Sequence, residues 1–214
     1  MPNGTGFVTG FPQILSEPTT VKAALRRRIR AQRARRTPGE RAVQGGALAG
    51  IALELPAIQA AHCVAVYAST PTEPQTGPLR EALRRQGVGV VLPLVRDGGL
   101  EWAWDTGTDL VPSPGRGGAE PSGPSLGSRG LSAADVVLVP ALAVDTLGTR
   151  LGQGGGHYDA ALPQLDPGVP VFAVVHEEEV LDAAVEGLPA EPHDVPVDGA
   201  LTPLRCLRLP GRTR

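Results

Sequence analysis

The chain has 214 residues, 41% of them hydrophobic and 20% charged, with a formal net charge of -2. At this length one domain can bury about 70% of the surface its unfolded form exposes, so a single core is expected. The near-neutral balance excludes a whole-molecule basic field for nucleic acid or an anionic membrane, and no run approaches the ~18 apolar residues of a membrane span.

Residues 1–15 mix Gly, Pro and Thr without a period and read as a disordered leader with no export signal. A first helix is predicted from Thr19 or Thr20: Val21, Leu25 and Ile29 recur every four positions, and Lys22, Arg26, Arg30 and Arg33 share a neighbouring face. Thr37-Pro38-Gly39-Glu40 is a capping-box pattern opening a second helix to about Leu55. A strand (62–68), a helix (78–86) stopped by Gly87 and a second strand (88–94) follow, and 100–104 alternates like an edge strand. The Gly, Pro and Ser-rich stretch 112–130 reads as a loop.

Val136-Val137-Leu138-Val139 is an unbroken β-branched run of the kind covered on both faces, and 169–175 repeats it. The acidic stretch 176–185 is predicted as a helix and 197–201 as a last strand. The fold class expected is α/β, three-layer and Rossmann-like, with a mostly parallel sheet and helices on both faces. It would form a single domain over 16–205, with 206–214 as a tail. Cys63 and Cys206 sit in apolar segments and read as buried thiols, which points to a cytoplasmic protein.

Between the two apolar strands lies Gly148-Thr149-Arg150-Leu151-Gly152-Gln153-Gly154-Gly155-Gly156-His157-Tyr158-Asp159. Glycines let successive backbone N–H groups point at one anion without Cβ obstruction, a following helix N-terminus adds partial positive charge, and Arg150 could clamp a phosphate. The segment is neither a Walker A loop nor a dinucleotide fingerprint. A surface loop without function is the competing reading.

Lys22 is the only lysine among many arginines, and a compact ammonium suits a terminal phosphate oxygen; a solvated helix face would explain it as well. Asp159 and Asp194 each adjoin a loop at a strand end and could meet at magnesium, which takes one or two carboxylates; a cap or turn is the alternative for each. Glu73 follows the first strand, where open α/β sheets place ligand loops. The histidines have no zinc spacing, and no Gly-x-Ser-x-Gly elbow appears.

Lys22-Ala23-Ala24-Leu25-Arg26, the run from Val139 to Asp159, and Leu188 to Asp194 followed by Val197, Asp198 and Thr202 occur in the order of three motifs. In them the chain resembles the 5-formyltetrahydrofolate cyclo-ligases, also called 5,10-methenyltetrahydrofolate synthetases, over most of 20–202. The resemblance implies ATP and Mg²⁺ as co-substrate and cofactor, and 5-formyltetrahydrofolate as substrate of a monomer or weak dimer.

It also implies roles. Lys22, Arg26, Arg150, Leu151, Gly152, Gln153, Gly154, Gly155, Gly156, His157 and Tyr158 would hold ATP, with Lys22 and Arg150 catalytic. Asp159 and Asp194 would bind the metal. Ala68, Glu73, Gly152, Gly154, Gly155 and Gly156 would contact the folate. His157, Gln153 and Ala160 depart from the family pattern, which commonly has an aromatic, a basic residue and an arginine there. A non-catalytic nucleotide-binding protein of the same fold is the alternative, and an Arg-rich nucleic-acid module over 26–36 a weaker one, lacking stacking aromatics.

Overall fold

The computed structural model describes residues 18–96, 99–108, 110–113 and 118–211. The leader expected at 1–15 lies outside them. In chain order, α1 (Pro18–Ala34), α2 (Pro38–Leu53) and α3 (Pro56–Gln59) precede β1 (Cys63–Ala65), α4 (Gly77–Arg85), β2 (Gly89–Arg96) and β3 (Gly99–Trp104). Then come β4 (Leu110–Pro112), β5 (Ala119–Pro121), β6 (Val136–Pro140), β7 (Ala143–Asp145), β8 (Arg150–Leu151), α5 (His157–Ala161) and β9 (Val171–Val174). The chain closes with β10 (Val180–Leu181), α6 (Ala183–Glu186), β11 (Gly199–Leu201) and β12 (Cys206–Arg208).

The main sheet has seven strands in the order β12-β11-β9-β6-β1-β2-β3. The inner five are parallel, while β3 and β12 pair antiparallel at the two edges. Residues from 206 onward, expected as a tail, therefore begin with an edge strand. Strand residues alternate between two cores, as a sheet buried on both faces requires. Val64, Val90, Leu92, Leu138 and Val174 pack against Leu48 of α2 and Leu79 and Leu83 of α4. Ala65, Val91, Val137, Val139 and Ala173 pack against Trp102, Leu162 and Leu165. The second face is covered by the short α5 and by turns rather than by long helices.

The capping box forms as predicted: Thr37 N–H donates to Glu40 Oε2 and Glu40 N–H to Thr37 Oγ1. The loop predicted at 112–130 carries the antiparallel pair β4 and β5 and a 3-10 turn over Ser128–Ala133. The helix predicted over 176–185 does not form. Val180 and Leu181 pair with Val144 and Asp145 of β7, and Asp182 caps a new turn by accepting from Ala184 N–H. Those bonds replace the i to i−4 bonds a continuous helix would need, so tertiary pairing overrides local propensity. The strands β10, β7 and β8 make a small separate sheet that hydrophobic periodicity, with two or three residues per strand, could not reveal.

Chain order reverses between β1 and β6: from β1 the chain proceeds to β2 and β3 on one side, from β6 to β9 and β11 on the other. Open α/β sheets hold ligands in the crevice outside the strand ends at such a point. Helix α1 lies over this end through Leu25 and Ile29, which pack on Leu142, Leu151 and Leu188. Its last turn is fixed by Arg33, 1% exposed, whose Nε and Nη2 donate to the two oxygens of Glu179 at 2.7 and 2.6 Å. Nη2 also donates to Ala141 O at 2.6 Å.

Removing one partner of a buried ion pair costs about 3–5 kcal/mol, because the other charge is stranded. Glu179→Gln should therefore lower unfolding free energy in urea by about that amount, and the apolar double variant Arg33→Met with Glu179→Leu should recover at least half. Equal losses in the single and double variants would contradict the pairing. Nearby, burial, reinforced by Arg36, Arg33 and Arg41, pushes the His176 imidazole down to about 3 from 6.5. The unfolded chain thus binds a proton that the folded chain refuses between those values, so stability is full above 6.5 and lost as pH falls through the window. His176→Leu should flatten the measured slope by about one proton there.

Candidate functional site

Two cavities open side by side at the switch point. The first, of about 320 Å³, is lined by Lys22 and Arg26 of α1, by residues 150–159 and by Glu191, His193 and Asp194. The second, of about 580 Å³, is lined by Arg30, Tyr67, Ala68, residues 70–73, and Pro93, Val95 and Leu100 of β2 and β3. Pro140, Gln153, Gly155 and Tyr158 line both, so they are the wall between them.

The turn before the glycines is built on Asp145, a buried carboxylate. Its Oδ1 accepts from Leu147 and Thr149 N–H, and its Oδ2 accepts from Leu188 N–H. One side chain thus ties the start of the glycine segment to the start of the 188–194 segment. Gly148 completes the turn at φ 89°, where a Cβ would lie 2.8 Å from Val197 O, so no other residue fits. Past it, Arg150 is buried: Nη2 donates to Asp159 Oδ1 at 2.6 Å and the guanidinium carbon lies 5.9 Å from the Tyr158 ring centroid.

Among the described residues, the backbone N–H groups of Gly152, Gln153, Gly154 and Gly155 have no partner in the chain. They are available to an anion, as is the guanidinium of Arg26, which donates to Gly152 O at 2.9 Å and lies against Gly154. The helix expected to follow is only the five-residue α5, and Leu162 and Leu165 belong to a 3-10 turn and its end. The side-chain cations and loop N–H groups, rather than a long helix dipole, carry the positive potential.

Lys22 is not on a solvated face. It is 6% exposed, and Nζ lies 2.6 Å from both Glu191 Oε2 and Asp194 Oδ2. Burial by itself lowers its pKa, but the hydrogen bonds and charges of Asp194 and Glu191 outweigh burial and hold it above 10.5. Burial likewise raises Asp194, while Lys22 and the Glu191 N–H pull it below 3.8. The ammonium sits where a cation bridging two carboxylates would sit.

Glu191, His193 and Asp194 offer ligand atoms within 4.8 Å of one another. The oxygen donors of that set fit a hard cation such as Mg²⁺; the imidazole does not add to the fit. Asp159, the other sequence candidate, is engaged by Arg150 and by Val195 N–H. The glycine segment, Lys22, Arg26, Asp159 and Asp194 all line the first cavity. Ala68 and Glu73 line the second cavity, whereas Gly152, Gly154 and Gly156, also expected against the folate, line the first alone. Glu191, Asp145 and Arg30 were not assigned roles from sequence. The i to i+3 spacing of Glu191 and Asp194 and the single helical face of Lys22, Arg26 and Arg30 were the available signals.

Residues 18–203 match the sequence model of the 5-formyltetrahydrofolate cyclo-ligase family. A 5-formyltetrahydrofolate cyclo-ligase of Mycolicibacterium smegmatis is 39% identical over 149 residues, 66% of this chain and 74% of that protein. The Escherichia coli K12 protein of the same name is 34% identical over 184 residues, 82% of this chain and 96% of that one. The NMR structure of Aquifex aeolicus 5,10-methenyltetrahydrofolate synthetase superposes with a TM-score of 0.73 at 25% identity, covering 91% of this chain and 96% of that one.

The Lys22 bridge yields a stability prediction. Lys22→Met keeps the packing of the stem and strands two carboxylates, so it should cost about 2 kcal/mol near neutral pH, the scale of a charge-assisted bond. Stability from a depressed Asp194 is lost as pH falls through its folded pKa, and stability from a raised Lys22 is lost as pH rises through its own. The gap to wild type should therefore be full between 3.8 and 10.5 and close outside that window. A gap of zero at neutral pH, measured by urea unfolding, would show that the bridge does not hold α1.

Proposed function

The chain belongs to the 5-formyltetrahydrofolate cyclo-ligase family, a family of ligases, and from that premise we propose that it cyclises 5-formyltetrahydrofolate to 5,10-methenyltetrahydrofolate at the expense of ATP. The observation that carries the reading is the shared wall: a cavity rich in cations and free N–H groups adjoins a larger one, with only Pro140, Gln153, Gly155 and Tyr158 between them. A phosphoryl donor and an acceptor placed in them would meet at Gly155.

In the proposed reaction the N5-formyl oxygen attacks the γ-phosphorus, the bond to the β-bridging oxygen breaks and ADP leaves. N10 then attacks the activated formyl carbon and loses its proton, and the carbon–oxygen bond breaks to release phosphate. No protein nucleophile is required; positioning and charge neutralisation do the work.

Arg26 and the N–H groups of residues 152–155 would hold the phosphates, and Lys22 would turn from its carboxylates to the transferred group. Arg150 would act from beside Asp159, with His157 and Tyr158 closing the pocket. Magnesium held by Asp194 and Asp159, with Glu191 beside them, would neutralise charge on the phosphate oxygens. In the second cavity Glu73 is nearly buried and accepts from Thr70 N–H through Oε2, which orients the carboxylate for donor groups of the bicyclic ring; Ala68 lies beside it.

Of the three expected departures from the family pattern, Gln153 lies on the wall and His157 lines the first cavity, while Ala160 lines neither. Arg30 donates to Gln153, so a cation on α1 stands beside the position where the family carries one on the loop. Work in the cytoplasm belongs to the same proposal: both cysteines are free, and no helix among the described residues is long and apolar enough to cross a membrane.

Purified protein should form the methenyl product, followed by its absorbance, only with ATP and Mg²⁺ present. Binding of ATP without turnover would favour a non-catalytic nucleotide-binding protein, and product formed without nucleotide would contradict the mechanism.

A further inference from the structure

The arginines at α1 fall into three groups: Arg27 and Arg35 are exposed and line neither cavity, and the other five are either paired or cavity-facing. Arg28, Arg33 and, just past the helix, Arg36 each face a carboxylate, Glu186, Glu179 and Glu178 respectively. Arg26 and Arg30 form no ion pair among the described residues. These two face the cavities, Arg26 the first and Arg30 the second. An uncompensated cation at each cavity calls for an anion in each, and in the first the phosphates answer it.

The second cavity, on the reading above, takes the folate, whose bicyclic and benzoyl parts are uncharged and whose glutamyl end bears two carboxylates. Arg30 is exposed and so stands at the rim, where the end of a ligand nearest solvent would lie. It is also held in place: Nε and Nη2 donate to Gln153 Oε1 at 3.1 and 2.8 Å, and Nη2 to Gln153 O at 3.0 Å. Those bonds leave Nη1 free and remove most of the rotamer freedom an arginine would otherwise lose on binding. Glu73, lining the same cavity, repels carboxylates and attracts donors. The two side chains give the cavity a polarity that admits the substrate in one orientation.

We infer that Arg30 anchors the glutamyl carboxylates of the substrate and sets affinity for the tail, with no part in phosphoryl transfer. This rests on the cyclo-ligase reading. The test compares wild type with Arg30→Gln on 5-formyltetrahydrofolate and on the methylamide of 5-formyltetrahydropteroate, in which an uncharged amide replaces the glutamate, with melting temperature as the fold control.

Losing a charge-assisted pair should raise KM for the folate about tenfold, while kcat and KM for ATP move less than about twofold. The tail-less substrate should show no such rise, and Arg30→Lys should restore most of the loss. An equal rise for both substrates, or a fall confined to kcat or to ATP, overturns the inference. Should wild type make no methenyl product, the cyclo-ligase reading fails instead. Calorimetric titration with the two compounds then decides on Arg30 alone: a tail-dependent difference between wild type and variant supports it, and no difference or no binding overturns it.

Discussion

A row of cations spaced one per turn along α1 holds together parts of the chain 108 to 172 residues apart in sequence. Lys22 reaches Glu191 and Asp194, Arg26 the carbonyl of Gly152, Arg30 the residue after it, and Arg33 both Glu179 and the carbonyl of Ala141. Alone, such a helix is unfavourable, since like charges four apart repel by a few tenths of a kcal/mol each, about 0.2–0.5. Its stability comes from Leu25 and Ile29 on the core and from carboxylates and carbonyls brought up by the sheet. The helix and the site are therefore one structure: losing the buried contacts of Lys22 or Arg33 would open both cavities.

The sheet supplies the other half. Reversal of chain order between β1 and β6 leaves a crevice, and the segments leaving those two strands, 66–76 and 140–159, become its walls. Asp145 converts the exit from β7 into a turn that delivers Arg150 and the glycines, and by taking Leu188 N–H it fixes the segment carrying Glu191 and Asp194. Three buried charged side chains, Asp145 and the paired Arg33 and Glu179, thus define where the glycine run must lie. The glycines are needed where the backbone is forced, at Gly148 and at Gly154, which has φ 103° beside the Arg26 guanidinium.

Much of this was legible in the sequence. The parallel sheet followed from unbroken β-branched runs, α2 from its capping box, and a loop with unpartnered N–H groups from the glycines between Arg150 and Asp159. The acidic run at 176–185 misled because helix propensity is local, whereas Glu177, Glu178 and Glu179 answer to Arg205, Arg36 and Arg33 from distant elements. Lys22 could be singled out by composition but not placed, because burial beside two carboxylates depends on packing across 169 and 172 residues of sequence. Glu191 and Arg30 acquired meaning only from the cavities they line, and a cavity has no periodicity to read.

The central claim is that the two cavities bring a formyl oxygen to a terminal phosphate across the wall at Gly155. The fate of that oxygen tests it most directly. 5-Formyltetrahydrofolate carrying oxygen-18 in the formyl group should, on turnover with unlabelled ATP, pass the label into the inorganic phosphate, as read by mass spectrometry. Label recovered in water, with unlabelled phosphate, would mean that the formyl oxygen never bonded to phosphorus and that the adjoining cavities serve some other chemistry.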